Sequence, residues 1–93
     1  MKYTVHYTSR FKKSLKRAQQ LNGFKVTTFK DVVTRLAHGK ALPAMYRDHA
    51  LTGNLKQYRE CHLAPDILLI YQIDTDVLIL TLVNIGKHSQ LFT

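Results

Sequence analysis

Residues 67–83 read ILLIYQIDTDVLILTLV. Two apolar runs, 67–73 and 77–83, flank Asp74-Thr75-Asp76. Each run is strand length, and the polar triplet between them is a turn. Strands joined this closely pair antiparallel. Upstream, the turn Ala64-Pro65-Asp66 connects this hairpin to a weakly alternating segment, residues 55–63. There Leu55, Gln57, Arg59, Cys61 and Leu63 oppose Lys56, Tyr58, Glu60 and His62. The pattern leaves open which set faces the core. Three consecutive strands make an antiparallel meander. Downstream, residues 84–87 form a third turn, and the tail GKHSQLF, residues 86–92, has room for one helical turn.

The N-terminal half supplies what covers that sheet. Tyr3, Val5 and Tyr7 alternate with Lys2, Thr4 and His6, a half-buried strand over residues 2–7. Ser9 is the expected N-cap of a first helix. Its apolar stripe is Phe11, Leu15, Ala18 and Leu21, its outer surface is Lys12, Lys13, Lys16 and Arg17, and Asn22-Gly23 ends it. Thr28 and Asp31 read as a variant capping box opening a second helix. Phe29, Val32, Val33, Leu36 and Ala37 form the apolar face of that helix, with Gly39 and Pro43 closing it. Residues 41–54 have no period and read as a loop. The expected order is β-α-α-β-β-β: an α+β fold in which a helix hairpin packs on a curled antiparallel sheet, one domain over residues 1–93.

Lys and Arg total 14 against 6 Asp and Glu, a formal charge of +8. On so small a domain this points to an anionic partner, nucleic acid first and an acidic protein second. No apolar run approaches the roughly 20 residues of a membrane span, and the N-terminus has no secretory h-region. Cys61 is the single cysteine, so no internal disulfide forms. A cytoplasmic protein is expected. Cys61 and His62 point to opposite faces of a strand, which argues against a metal site. Neither a metal nor a cofactor is expected.

Titratable groups gather around the strands: His49 in the loop, His62 near the end of one strand, Asp66 at the next turn, His88 in the tail. On a basic domain such a set suits cleavage of RNA by its own 2′-hydroxyl. That reaction needs a base, an acid and positive charge around the phosphorane, and histidine serves both proton roles. Phe92 is an aromatic on which an extruded base can stack. Each residue also has a structural reading. His49 can brace its loop, His62 can pair across the sheet, Asp66 is an ordinary turn residue, His88 can be solvated and Phe92 can plug the core. His6 and His38 are read as structural, His38 at a helix C-terminus.

As an ordered set, DHALTGNLKQYRECHLAPDILLIY and GKHSQLF resemble the YafQ branch of the RelE-type bacterial toxins. The pattern there is D-H-x-L-x-G, Y-R-[ED]-x-H, x-P-D, L-I-Y and a terminal G-x-H-x-x-L-F. The resemblance covers residues 46–92. It implies the RelE-like microbial RNase fold and a ribosome-dependent endoribonuclease that cuts mRNA in the ribosomal A site. It also implies a cognate acidic antitoxin of the DinJ/RelB kind, through which the complex would bind operator DNA. Carried over, the catalytic set is His49, His62, Asp66 and His88, and the RNA contacts are Arg47, Lys56, Asn84, Lys87 and Phe92. Three positions depart from the pattern: Ile67 and Leu55 stand where relatives often have tryptophan, and Asn84 where they often have arginine. Losing that guanidinium removes a fixed charge suited to phosphate; Lys87 and Arg47 are the cations placed to compensate.

Two other readings explain part of the sequence. A ParE-like binding toxin that inhibits its target without cleaving RNA uses the same fold but has no need of proton-transfer groups. A general nucleic-acid-binding module explains the charge but not the gathered histidines.

Overall fold

The computed structural model describes residues 1–92. Its elements are β1 (Thr4–Tyr7), α1 (Ser9–Ala18), α2 (Val26–Ala37), β2 (His49–Ala50), β3 (Arg59–Ala64), β4 (Ile67–Asp74), β5 (Ile79–Gly86) and α3 (His88–Leu91). The α+β class, the meander and the terminal helical turn are as expected. The sheet order is β1-β5-β4-β3-β2. β3, β4 and β5 pair antiparallel, with Glu60 opposite Ile70 and Ile70 opposite Asn84.

The sheet is not antiparallel throughout. β1 lies parallel to β5, Val5 opposite Leu80. Between these two strands the chain runs through both helices and then across β2, β3 and β4, so the first and last strands become neighbours. The Ala37 carbonyl, at the end of α2, accepts from Lys2 N–H at 3.0 Å and Tyr3 N–H at 2.9 Å, which fixes where the first strand enters.

Several local expectations shift for physical reasons. Thr8, not Ser9, caps α1: its hydroxyl accepts from Phe11 N–H at 3.0 Å. The same hydroxyl lies 3.2 Å from the Leu82 carbonyl, so capping and sheet contact select one residue. The helix stops at Ala18, and Leu21 packs on the core from the turn that follows. The second helix begins at Val26 with no side-chain cap. Asp31 instead accepts the Arg35 Nε–H at both carboxylate oxygens, 3.1 and 3.0 Å, and the hydroxyl of Tyr46 at 3.1 Å. Arg35 therefore holds the Asp31 carboxyl below its ordinary range. β3 starts at Arg59 rather than residue 55, because residues 53–55 coil into a short turn. β5 starts at Ile79 and runs to Gly86, absorbing most of the segment read as a turn.

On β3 the core-facing set contains Cys61, which is fully buried. Phe11, Val32, Leu69, Leu80, Leu82 and Ile85 share that core. Glu60 and His62 therefore lie on the opposite face of the strand. No helix is long and apolar enough to cross a membrane among the described residues.

Candidate active site

The loop carrying His49 is tied down by Asp48. Arg59 donates to the Asp48 carboxylate at 3.3 and 3.1 Å, and Tyr71 donates its hydroxyl to the same carboxylate. The Asp48 bond raises the Arg59 pKa, and burial followed by the Asp48 bond raises that of Tyr71. Arg47, just before, adopts a left-handed conformation with φ 52°. The chain turns there and aims the Arg47 carbonyl at His49, two residues on.

That histidine is held from two sides. His49 Nδ1 lies 2.8 Å from the Arg47 carbonyl oxygen, and Nε2 lies 3.0 Å from Glu60 Oε1. Both partners are acceptors, so each takes a hydrogen bond only from a ring nitrogen that carries a proton. Glu60 is buried, with a side chain only 10% exposed. Its Oε1 is also 3.9 Å from His62 Nε2. One sunken carboxylate thus lies within hydrogen-bond distance of His49 and sits close to His62. His62 is mostly enclosed, and its Nδ1 is buried without a hydrogen-bond partner. It lines a cleft of about 290 Å3 with Tyr46, Arg47 and Pro65. Beneath, burial pushes the Cys61 thiol up to about 12, with the Asp48 and Glu60 charges adding to the effect. Such a thiol is inert at neutral pH.

Asp66, Lys87 and His88 fall at one end of the sheet, the end that carries His62. His62 is opposite Leu68, and Leu68 is opposite Gly86. The β3 backbone at His62 is therefore two strand spacings, about 10 Å, from that of Gly86. Asp66 is exposed in the turn between β3 and β4. Lys87 and His88 are exposed just after β5. Gly86 permits this turn: a Cβ there would sit 2.7 Å from Gln90 Oε1, the atom that accepts from Lys87 N–H. The His88 and Phe92 rings meet at 4.9 Å between centroids. Lys56 is exposed on the loop before β3.

Asn84 sits differently from its expected place in a turn. It is a buried strand residue whose Oδ1 accepts from the Ser14 hydroxyl at 2.6 Å and from Ile85 N–H at 2.9 Å. Glu60 is the residue that sequence reasoning passed over. Its signal was present, since Glu60 and His62 are two apart on a strand and share a face. The residue that joins them, His49, comes from another strand and gave no local sign.

A family model described as the bacterial toxin of a type II toxin-antitoxin system, YafQ, matches residues 3–93. The chain belongs to the YafQ toxin family. An Escherichia coli K12 relative, the mRNA interferase toxin YafQ, is 37% identical over 89 residues, 95% of this chain and 94% of that one. The E. coli DinJ-YafQ complex has a chain 33% identical with a TM-score of 0.86, covering 98% of this chain and 99% of that one. A metal-bound toxin from Helicobacter pylori is 44% identical with a TM-score of 0.87, covering 97% and 99%. In the present YafQ-family chain, no group of three or more His, Cys, Asp or Glu is placed to hold a metal ion among the described residues.

Proposed function

We propose that this YafQ-family toxin is an endoribonuclease that cuts mRNA in the ribosomal A site and is neutralised by a cognate acidic antitoxin of the DinJ/RelB kind. The toxin–antitoxin complex would bind operator DNA through the antitoxin. The observation that carries the catalytic reading is the pair of histidines on Glu60. A carbonyl and a buried carboxylate orient His49, and the same carboxylate reaches His62. Relatives named as an mRNA interferase, and one solved with DinJ, support the same reading.

The reaction uses the RNA's own nucleophile. A base takes the 2′-hydroxyl proton, and the 2′-oxygen attacks the adjacent phosphorus. The 5′-oxygen leaves with a proton from an acid, giving a 2′,3′-cyclic phosphate and a 5′-hydroxyl. His49 and Asp66 are assigned the proton transfers, and His62 the phosphate. His88 is a second acid or base, and Phe92 contacts a base. Arg47, Lys56 and Lys87 supply positive charge around the strand, and Asn84 an amide at its edge. Each step runs on side chains of this chain and needs no metal. Proton transfer by a positioned group is worth about 100-fold to 10,000-fold.

Primer extension on mRNA from cells briefly expressing the chain tests this. Discrete cuts within translated regions, lost in His49→Ala and His88→Ala, are expected. Growth arrest with intact mRNA would replace the nuclease by a binding toxin.

A further inference from the structure

On the sheet face turned away from the core lies a second, open pocket of about 240 Å3. Ile70, Val83, Tyr58 and Phe92 line it, together with Arg10 and Asn84. Its position ties it to the site. Ile70 is the cross-strand neighbour of Glu60, so the pocket begins one strand spacing, about 5 Å, from the strand carrying that carboxylate. Phe92 on its far side carries the ring of His88. The pocket therefore lies between the His49–Glu60 pair and the terminal histidine.

Its chemistry is selective. Two aromatics and five aliphatic side chains, Leu51, Leu55 and Leu91 among them, accept a flat apolar body. Asn84 has Oδ1 engaged by Ser14 and Ile85, which leaves its NH2 to donate. Arg10 is exposed, and its guanidinium has neither an ion pair nor a hydrogen bond among the described residues. A neighbouring recess of about 100 Å3 shares Arg10 and Asn84 and adds Arg17. Arg10 and Arg17 are seven residues apart on α1, on one side of the helix. An unpaired guanidinium at the rim of an apolar pocket with two aromatic walls fits an anion attached to a planar ring.

We infer that this pocket takes one unstacked base of the RNA next to the cut, with Arg10 binding the phosphate of that nucleotide. The inference rests on the nuclease reading and adds to it a site that sets sequence preference. It also explains how a chain with Asn84 on β5 retains a phosphate-binding guanidinium: it comes from α1.

The test uses ribosomes programmed with synthetic mRNA in which one abasic nucleotide is walked past the cut. The purified full chain is compared with Tyr58→Ala, Tyr58→Phe, Arg10→Ala and Lys12→Ala. In the unaltered chain one abasic position slows cleavage about tenfold, the scale of a lost stacking contact. Tyr58→Ala cleaves intact mRNA about tenfold more slowly and no longer distinguishes that position, whereas Tyr58→Phe behaves as the unaltered chain. Arg10→Ala raises the half-saturating toxin concentration and lowers the salt slope by about 0.7, the single-strand value for one phosphate. Lys12→Ala, on the opposite side of α1, changes less. The inference is overturned if Tyr58→Ala keeps the full abasic penalty, or if Arg10→Ala and Lys12→Ala act equally. It is also overturned if Tyr58→Ala cuts normally but escapes its antitoxin, which would assign the pocket to a protein. Cleavage by the unaltered chain in those cases leaves the nuclease reading standing; no cleavage of programmed mRNA removes both.

Discussion

His49 Nε2 lies 3.0 Å from Oε1 of Glu60, a carboxylate sunk into the sheet on the strand next to its own. The two residues face each other in the β2–β3 ladder. Directly opposed residues share a face, so the backbone pairing itself delivers the contact. Glu60→Gln keeps the shape and removes the charge. Single-turnover cleavage is expected to fall about 10-fold to 100-fold, a fraction of a proton-transfer group's worth. Amide exchange at His49 should stay as slow as in the unaltered chain, because the β2–β3 pairing is intact. A loss of rate accompanied by faster exchange at His49 would mean that Glu60 only shapes the loop.

The Asp48–Arg59–Tyr71 network holds the segment that presents His49. Tyr71→Phe deletes one hydrogen bond to a charged acceptor and leaves the ring packed. A loss of about 1.5 to 3 kcal/mol is expected from urea unfolding. Amide exchange at His49 and Ala50 should accelerate more than exchange in β4, since the loop loses a tether while the sheet loses none. Equal acceleration throughout would point to a core effect.

Thr8 and Ser9 make a direct comparison. Thr8→Ala removes the α1 cap and the link to the Leu82 carbonyl. It should cost about 1 kcal/mol, the usual worth of a cap. Ser9→Ala should stay within about 0.5 kcal/mol, as surface changes do. Reversal of that order in thermal melts would place the cap at Ser9.

Cys61 sets an alkaline limit. Its thiol is raised from 9.0 to about 12 in the folded chain, chiefly by burial. The folded state therefore holds a proton that the unfolded state releases above pH 9. Stability from this group is fully present below pH 9 and declines as pH rises toward 12, by at most about 4 kcal/mol. Tyr71, raised above its ordinary 10.0, acts in the same direction. Urea midpoints between pH 8 and 11 should fall, and Cys61→Ala, although less stable, should fall less steeply. Parallel slopes for the two proteins would remove Cys61 from the account.

Much of this was legible locally. The runs at 67–73 and 77–83, the Pro65 turn and the apolar faces of both helices are periodic features of neighbouring residues. Periodicity needs no knowledge of the rest of the chain. His49, His62, Asp66 and His88 were likewise visible as residue types suited to proton transfer. Capping was less legible, because Thr8 and Ser9 are equivalent in propensity and only the Leu82 carbonyl separates them. Asp31 read as a cap residue because its local pattern fits one, while Arg35 and Tyr46 claim it in space.

The sequence by itself therefore determined the element types, the meander, the basic charge and the identity of the titratable side chains. Only the tertiary structure decided that β1 joins the sheet in parallel, that Cys61 rather than Glu60 faces the core, and that His49 and His62 flank one carboxylate. Arg10 beside Phe92 belongs to the same class. Local patterns arise from contacts within a turn or a strand. Each of these outcomes depends on pairing between segments far apart in the chain, chosen by the burial and hydrogen bonding of the whole sheet at once.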